Sequence, residues 1–241
     1  MNERQPPQSV PAVAISGLTK RFGYTFALHD INLQLEQGEF LVMFGPNGAG
    51  KTTFLKILST LTGPTAGTVR LLGHELTRHG ETVRALIGVL GHRPLLIPML
   101  TAYENLKFYG QMFGVRHLER RITFLLKHVG LFGQRDQAVE TFSRGMQQRL
   151  AIARAILHAP RILLLDEPFT GLDQEGIALL KQILQDFLRD GKTVVMTDHD
   201  LARGLDFCTQ VVIMNHGKIL HHGETVHLNE TFEVLYRRYV G

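Results

Sequence analysis

The stretch from Gly45 to Thr53 constrains this chain more than any other. It reads Gly45-Pro46-Asn47-Gly48-Ala49-Gly50-Lys51-Thr52-Thr53 and fits the phosphate-binding pattern G-x-x-x-x-G-K-[ST]. The pattern means something only between a strand and a helix. The run Phe40-Leu41-Val42-Met43-Phe44 before it reads as a buried strand. After it, Thr52 to Leu61 sets Phe54, Leu55, Ile57, Leu58 and Leu61 on one helical face. Gly45, Gly48 and Gly50 let backbone N–H groups turn inward without a Cβ in the way. Those donors and the helix N-terminus predict a concave anion site. Lys51 then reaches the β- and γ-phosphates, and the Thr52 hydroxyl holds Mg²⁺. A glycine-rich turn that merely contains a lysine is the bland alternative, and both flanking segments argue against it.

A second motif is Ile162-Leu163-Leu164-Leu165-Asp166-Glu167. A short, fully apolar run of this kind marks a central parallel strand. Ligands bind at the C-terminal ends of such strands. There Asp166 suits the water shell of Mg²⁺, an oxygen-seeking ion. Glu167, one residue on, suits the orientation and polarisation of an attacking water.

The rest of the chain reads as a mixed α/β core interrupted by a helical lobe. Further strands are expected at Ala12–Leu18, Phe26–Leu35, Thr68–Leu72, Leu86–Gly91 and Thr193–Met196, with a closing hairpin at Val211–Met214 and Lys218–Leu220. From His92 to Pro160 the pattern is helical. Thr101 and Glu104 form a capping-box pair, and helices are expected after Thr101, over Leu118–Val129 and over Ser143–Leu157. Ile177–Leu188 is amphipathic, and the tail is expected to be helical from Asn229. Met1 to Pro11, polar and with three prolines, reads as a disordered lead lacking signal-peptide character. No apolar segment approaches the ~20 residues that span a bilayer, so a soluble protein is expected. The single cysteine, Cys208, rules out a disulfide framework and reads as a small core residue. The net charge of +4 is spread along the chain, with no run of the kind that binds nucleic acid.

The third motif, Phe142-Ser143-Arg144-Gly145-Met146-Gln147-Gln148-Arg149, resembles the signature sequence of the ATP-binding cassette ATPases, usually Leu-Ser-Gly-Gly-Gln. Ser143 and Gly145 match; Phe142, Arg144 and Met146 depart. Thr170-Gly171-Leu172-Asp173 resembles the family's D-loop, and Thr197-Asp198-His199-Asp200 its switch-histidine segment. Phe22 resembles the aromatic that stacks on adenine, with Tyr24 as its neighbouring competitor. The family carries a glutamine where this chain has His92. A neutral imidazole is a poor Mg²⁺ ligand, so His92 would bond a metal-bound water or the phosphate, or be a plain loop residue.

The resemblance covers nearly the whole chain. It implies a P-loop NTPase core of mixed sheet and helices, with an inserted α-helical subdomain and an antiparallel β subdomain. Residues 12–91 and 161–241 would be core, and 92–160 the helical insertion. It implies a head-to-tail dimer, each ATP held by one copy's P-loop and by Ser143 and Gly145 of the other, with Asp173 linking the two sites. Glu167, His199 and Lys51 would serve catalysis, and Thr52 and Asp166 the Mg²⁺. The implied partners are a second cassette, identical or not, and a transmembrane permease, with no nucleic acid and no direct insertion of this chain in the bilayer. The chain would sit on the inner face of the cell membrane. The apolar segment Pro94–Leu100 would receive a helix of the permease or pack under the helical lobe. The Gly-His-x-Pro stretch from Gly91 to Pro94, followed by Leu100–Tyr109, looks most like the haem-exporter subunit of cytochrome c biogenesis. A soluble cassette ATPase, such as an iron–sulfur assembly factor, and an ATP-gated scaffold are the alternatives.

Overall fold

The structure, a computed structural model, describes residues 10–92, 94–199, 208–225 and 231–240. Its first half runs β1 (Val13–Phe22), β2 (Thr25–Leu35), β3 (Phe40–Phe44), α1 (Lys51–Leu58), β4 (Ala66–Leu71), β5 (His74–Glu75), α2 (Gly80–Leu86) and β6 (Ile87–Leu90). Three helices follow, α3 (Ala102–Met112), α4 (Leu118–His128) and α5 (Arg144–Ile156). Then come β7 (Ile162–Asp166), α6 (Gln174–Arg189), β8 (Thr193–Thr197), β9 (Gln210–Asn215), β10 (Lys218–Glu224) and α7 (Thr231–Val240).

Two sheets organise these elements. One is antiparallel, in the order β2-β1-β4-β5; the other has the order β10-β9-β3-β8-β7-β6. In the second, β9, β3, β8, β7 and β6 pair in parallel and only the edge strand β10 is antiparallel. Every residue of β3, β7 and β8 is buried, because helices cover one face and α1 and the first sheet cover the other. The period of two along β3 divides its side chains between two cores. Phe40, Val42 and Phe44 join the core beneath α3 to α7. Leu41 and Met43 join the one shared by α1 and the antiparallel sheet.

Most elements stand where the sequence places them, and the differences have local causes. Leu61 was expected on the buried face of α1 but is 65% exposed. The helix stops at Leu58, Thr60 takes a positive φ of 60°, and the N–H groups of Leu61 and Thr62 both turn back to Lys56 O. The helical region begins at Ala102 rather than His92, since Pro94 and Pro98 each lack an N–H and bias the preceding residue away from helix. Helix α2 and strand β5 are too short to leave a periodic signal. Of the expected lead, Met1–Ser9 lie outside the described residues, while Val10 O accepts a bond from Gln37 Nε2. Asn229, expected to begin the last helix, also lies outside them.

The capping box on α3 is present. Glu104 N donates to Thr101 Oγ1 at 3.1 Å, and Thr101 N donates to Glu104 Oε2 at 2.9 Å. One position on, Asn105 is fully buried. Its Oδ1 accepts from Ile97 N at 2.8 Å, and its Nδ2 donates to the carbonyls of Ile97, Leu100 and Thr101. This side chain adds to the backbone bonds of the loop before α3 and gives the Ile97 N–H its partner. The loop divides: Leu96 packs on the core beneath the helices, while Leu95 and Met99 face solvent.

Candidate nucleotide site

Parallel register assembles the site. Strands β3, β7 and β8 all end at the same edge, and Asp166 lies opposite Thr197. Gly45 follows β3 directly, at φ 155°. A Cβ there would stand 2.2 Å from Met214 O, so only glycine lets the loop leave the sheet this close to β9. Gly50, the N-cap of α1, has φ 106°, and a Cβ on it would meet Ala27 O at 2.5 Å. The loop thus wraps into a cradle of about 180 Å³, lined by residues 46–53, Ala27 and Glu167. Ala27 belongs to β2; its place at the loop carries no sequence signal of its own.

Lys51 is buried, and its ammonium donates to Gly45 O at 2.5 Å and Pro46 O at 3.2 Å. Burial pushes its pKa down, against the opposing pull of Glu167, Asp166 and Asp198. Three carboxylates therefore favour the charged amine that a phosphate needs. Thr52 Oγ1 donates to Asp166 Oδ1 at 3.3 Å, and Thr197 Oγ1 donates to the same oxygen at 2.7 Å. Two hard oxygen side chains thus meet beside the anion cradle. This fits a magnesium ion that takes its remaining ligands from phosphate and water.

Glu167 has φ 48°, the left-handed region that costs a non-glycine residue about 1 kcal/mol. Thr197 holds it there, accepting the Glu167 N–H on its carbonyl at 3.1 Å and on its hydroxyl at 3.2 Å. The strained turn aims the carboxylate at the cradle and, on the other side, at His199, whose Nδ1 is 3.5 Å from Glu167 Oε1. His199 N also donates to Asp198 Oδ1 at 2.7 Å, which fixes the turn after β8. Thr197 was only a letter in the switch segment at the sequence level. A hydroxyl at the C-terminal end of a buried strand was the available signal.

His92 is exposed and lines two clefts that also reach Asp166 and Glu167. One, of about 530 Å³, separates α1 from the loop after β6; the other, of about 270 Å³, lies against the start of α5. Ser143 caps α5, accepting from Met146 N, and Asp173 caps α6, accepting from Gly176 N at 2.8 Å. Gly145 faces Gly171 O, and the Arg144 side chain lies over Gly171. Gln148 Nε2 donates to Pro168 O, so the start of α5 and the 168–173 segment lean on each other. Ser143, Gly145 and Asp173 line neither the P-loop cradle nor the 530 Å³ cleft of their own chain. Phe22 is exposed at the end of β1, with the Lys20 ammonium 5.0 Å from its ring centre and bonded to Gly63 O. Tyr24 is fully exposed in the turn beyond. Asp200 and Arg93 lie outside the described residues.

Comparison with known proteins agrees with this geometry. The family model described as "ABC transporter" matches residues 28–170, more than half of the chain. The Nod factor export ATP-binding protein I of Ralstonia nicotianae is 34% identical over 224 residues, which is 90% of this chain and 70% of that protein. The ABC transporter ATP-binding protein NatA of Bacillus subtilis is 36% identical, over 80% of each chain. An ATP-binding cassette solved as a dimer in a post-hydrolysis state with ADP and Pi superposes with a TM-score of 0.81, at 31% identity, over 88% of this chain and 98% of that one. The chain belongs to the ABC transporter family as an ATP-binding cassette, and it is an ATP hydrolase.

Proposed function

We propose that this chain is the ATP-hydrolysing subunit of an export-type membrane transporter and works as a pair of copies enclosing two ATP molecules. The observation that carries the reading is that Lys51, Thr52 and Glu167 line one cradle, with Asp166 bonded to Thr52 and His199 beside Glu167. Phosphoryl transfer to water asks little covalent chemistry of a protein; positioning and neutralisation of charge supply most of the rate. Backbone N–H groups among residues 47–53 and the Lys51 ammonium receive the phosphate oxygens, Lys51 exchanging its bonds to Gly45 O and Pro46 O for them. Thr52 and Asp166 would hold Mg²⁺, which supplies charge neutralisation at the phosphates. Glu167 orients the attacking water, and His199 holds the Glu167 carboxylate and would meet the terminal phosphate. Phe22, braced by Lys20, offers its ring to the adenine. His92, which shares two clefts with Asp166 and Glu167, would hydrogen-bond the phosphate or water at its side.

Ser143, Gly145 and Asp173 do not line the P-loop cradle of their own chain. In this reading they complete the site of a second copy, the Ser143 hydroxyl and the α5 N-terminus meeting phosphate. ATP favours the closed pair because both halves bind it there. Residues 12–91 and 161–241 form the nucleotide-binding core, and 92–160 the helical lobe that meets the permease. No helix among the described residues is long and apolar enough to cross a membrane; the permease provides the spans, with this chain at the inner membrane face. Export is supported by the relatives' names, which include Nod factor export and daunorubicin resistance. None of the relatives named supports haem as cargo.

The deciding experiment is ATP turnover by the purified chain with Mg²⁺. Turnover by the wild type and its loss in Lys51→Ala, with the circular dichroism spectrum unchanged, is the expected result. Equal rates in the two proteins would overturn the assignment of the P-loop.

A further inference from the structure

The loop that carries His92 leaves β6 at Leu90, and side chains from the helices hold both of its stems. On the upstream side, Arg154 Nη2 of α5 donates to Val89 O at 2.7 Å. On the downstream side, the Tyr109 hydroxyl of α3 donates to Leu95 O at 2.5 Å. The two side chains meet, the guanidinium carbon lying 5.2 Å from the centre of the Tyr109 ring. Asn105, one turn before Tyr109, ties down Ile97 and Leu100 just beyond.

Arg154 is an expensive residue in this place. It is 8% exposed, its Nε has no partner, and burial pushes its pKa below the usual guanidinium value. Among the described residues, its recorded partners are a backbone carbonyl and the face of an aromatic ring. A buried cation with so little compensation costs stability, and an apolar side chain of equal length would pack there more cheaply. Local rules are broken in this way mostly where function requires it. Helix α5 also bears Ser143 and Gly145 at its other end. A cation–π contact and two carbonyl bonds therefore join the signature helix to both sides of the loop that lines the Glu167 clefts.

We infer that Arg154 and Tyr109 are positioning residues that clamp the His92 loop to the signature helix, so that loop and helix move as one body against the P-loop core. The inference rests on the cassette reading of the site given above. Neither side chain lines the P-loop cradle, so the clamp acts on turnover through the loop rather than on nucleotide binding.

Two variants in the full chain test it. Tyr109→Phe removes one hydroxyl and leaves the ring beneath the guanidinium. Arg154→Met removes the charge and keeps the length. Hydrogen exchange of the amides between residues 91 and 96 reads the clamp directly and should quicken about fivefold or more in both variants. The kcat for ATP should fall about tenfold with KM unchanged, since misplacement of a reacting assembly costs rate rather than ground-state binding. Arg154→Met should melt at or above the wild-type temperature. Arg154→Lys, able to reach the Val89 carbonyl but not to cover the ring, should recover part of the rate. Unchanged exchange over 91–96 in both variants would overturn the clamp, as would a loss of kcat that only follows a loss of Tm. Absence of ATP turnover in the wild type would instead fail the cassette reading, and the exchange measurement would still decide the clamp.

Discussion

His199 Nδ1 lies 3.5 Å from Glu167 Oε1, joining the end of β8 to the turn after β7 at the rim of the P-loop cradle. In the proposed mechanism the contact gives His199 a task before any nucleotide arrives, which is to hold the carboxylate that would orient water. His199→Ala is expected to lower kcat by about 10²-fold while ATP affinity stays within about twofold. Turnover and the binding of a fluorescent ATP analogue, measured on the same preparation, check this. A variant with wild-type kcat would show the contact to be incidental.

Thr197 supports the site from behind. Its hydroxyl donates to Asp166 Oδ1 and receives the Glu167 N–H, and the residue is fully buried. Thr197→Val keeps the shape and removes the hydroxyl. Stability should fall by about 2 kcal/mol, since a buried carboxylate oxygen loses a donor. The rate should fall about tenfold as Glu167 relaxes from its strained backbone. Denaturant unfolding and the magnesium dependence of turnover measure the two effects separately.

Asn105→Ala strands the Ile97 N–H, while the carbonyls of Ile97, Leu100 and Thr101 each lose one of two donors. A buried group left without a partner costs roughly 1–3 kcal/mol, so a loss of about 2 kcal/mol is expected. For a chain of this size that lowers Tm by on the order of 6 °C. Calorimetry checks it. A shift of under about 2 °C would mean that water takes over the amide's bonds.

The sequence made the P-loop, the Asp166-Glu167 pair, the Thr101 cap and the buried strands legible, because each rests on short-range pattern. Phe40 to Phe44 has one apolar face on each side of a sheet, and no other element suits such a run. Thr197, Ala27, Asn105 and Arg154 were not legible as site supports. Their partners lie up to 31 residues away in the chain for Thr197 and up to 65 for Arg154, and nothing local signals a register between β7 and β8. Leu61 misled because helical period says nothing about where a helix stops. The apolar loop 94–100 was ambiguous for a physical reason: it contributes Leu96 to the core and Leu95 and Met99 to the surface.

Acid should weaken the fold through His158 and His222. Burial lowers the pKa of each from 6.5, most directly for His158, which stacks on Phe113 and uses Nε2 on Ile87 O. Both stay neutral in the folded state below the pH at which the unfolded imidazoles take up protons. The unfolded chain therefore binds more protons as pH falls through 6.5 towards the lowered folded values, so stability drops across that window. Tm measured between pH 7.5 and 5.5 should decline in the wild type and decline less in His158→Gln. Identical slopes in the two proteins would remove His158 from this account.

The central claim is that two copies close on ATP, with the P-loop of one facing Ser143 of the other. Glu167→Gln, mixed with ATP and Mg²⁺ and sized by chromatography with light scattering, tests it most directly, because binding persists while hydrolysis stops. The account expects a mass near twice 27.1 kDa with ATP, reverting to 27.1 kDa when Ser143→Arg is added. A mass of 27.1 kDa for Glu167→Gln at saturating ATP would contradict it.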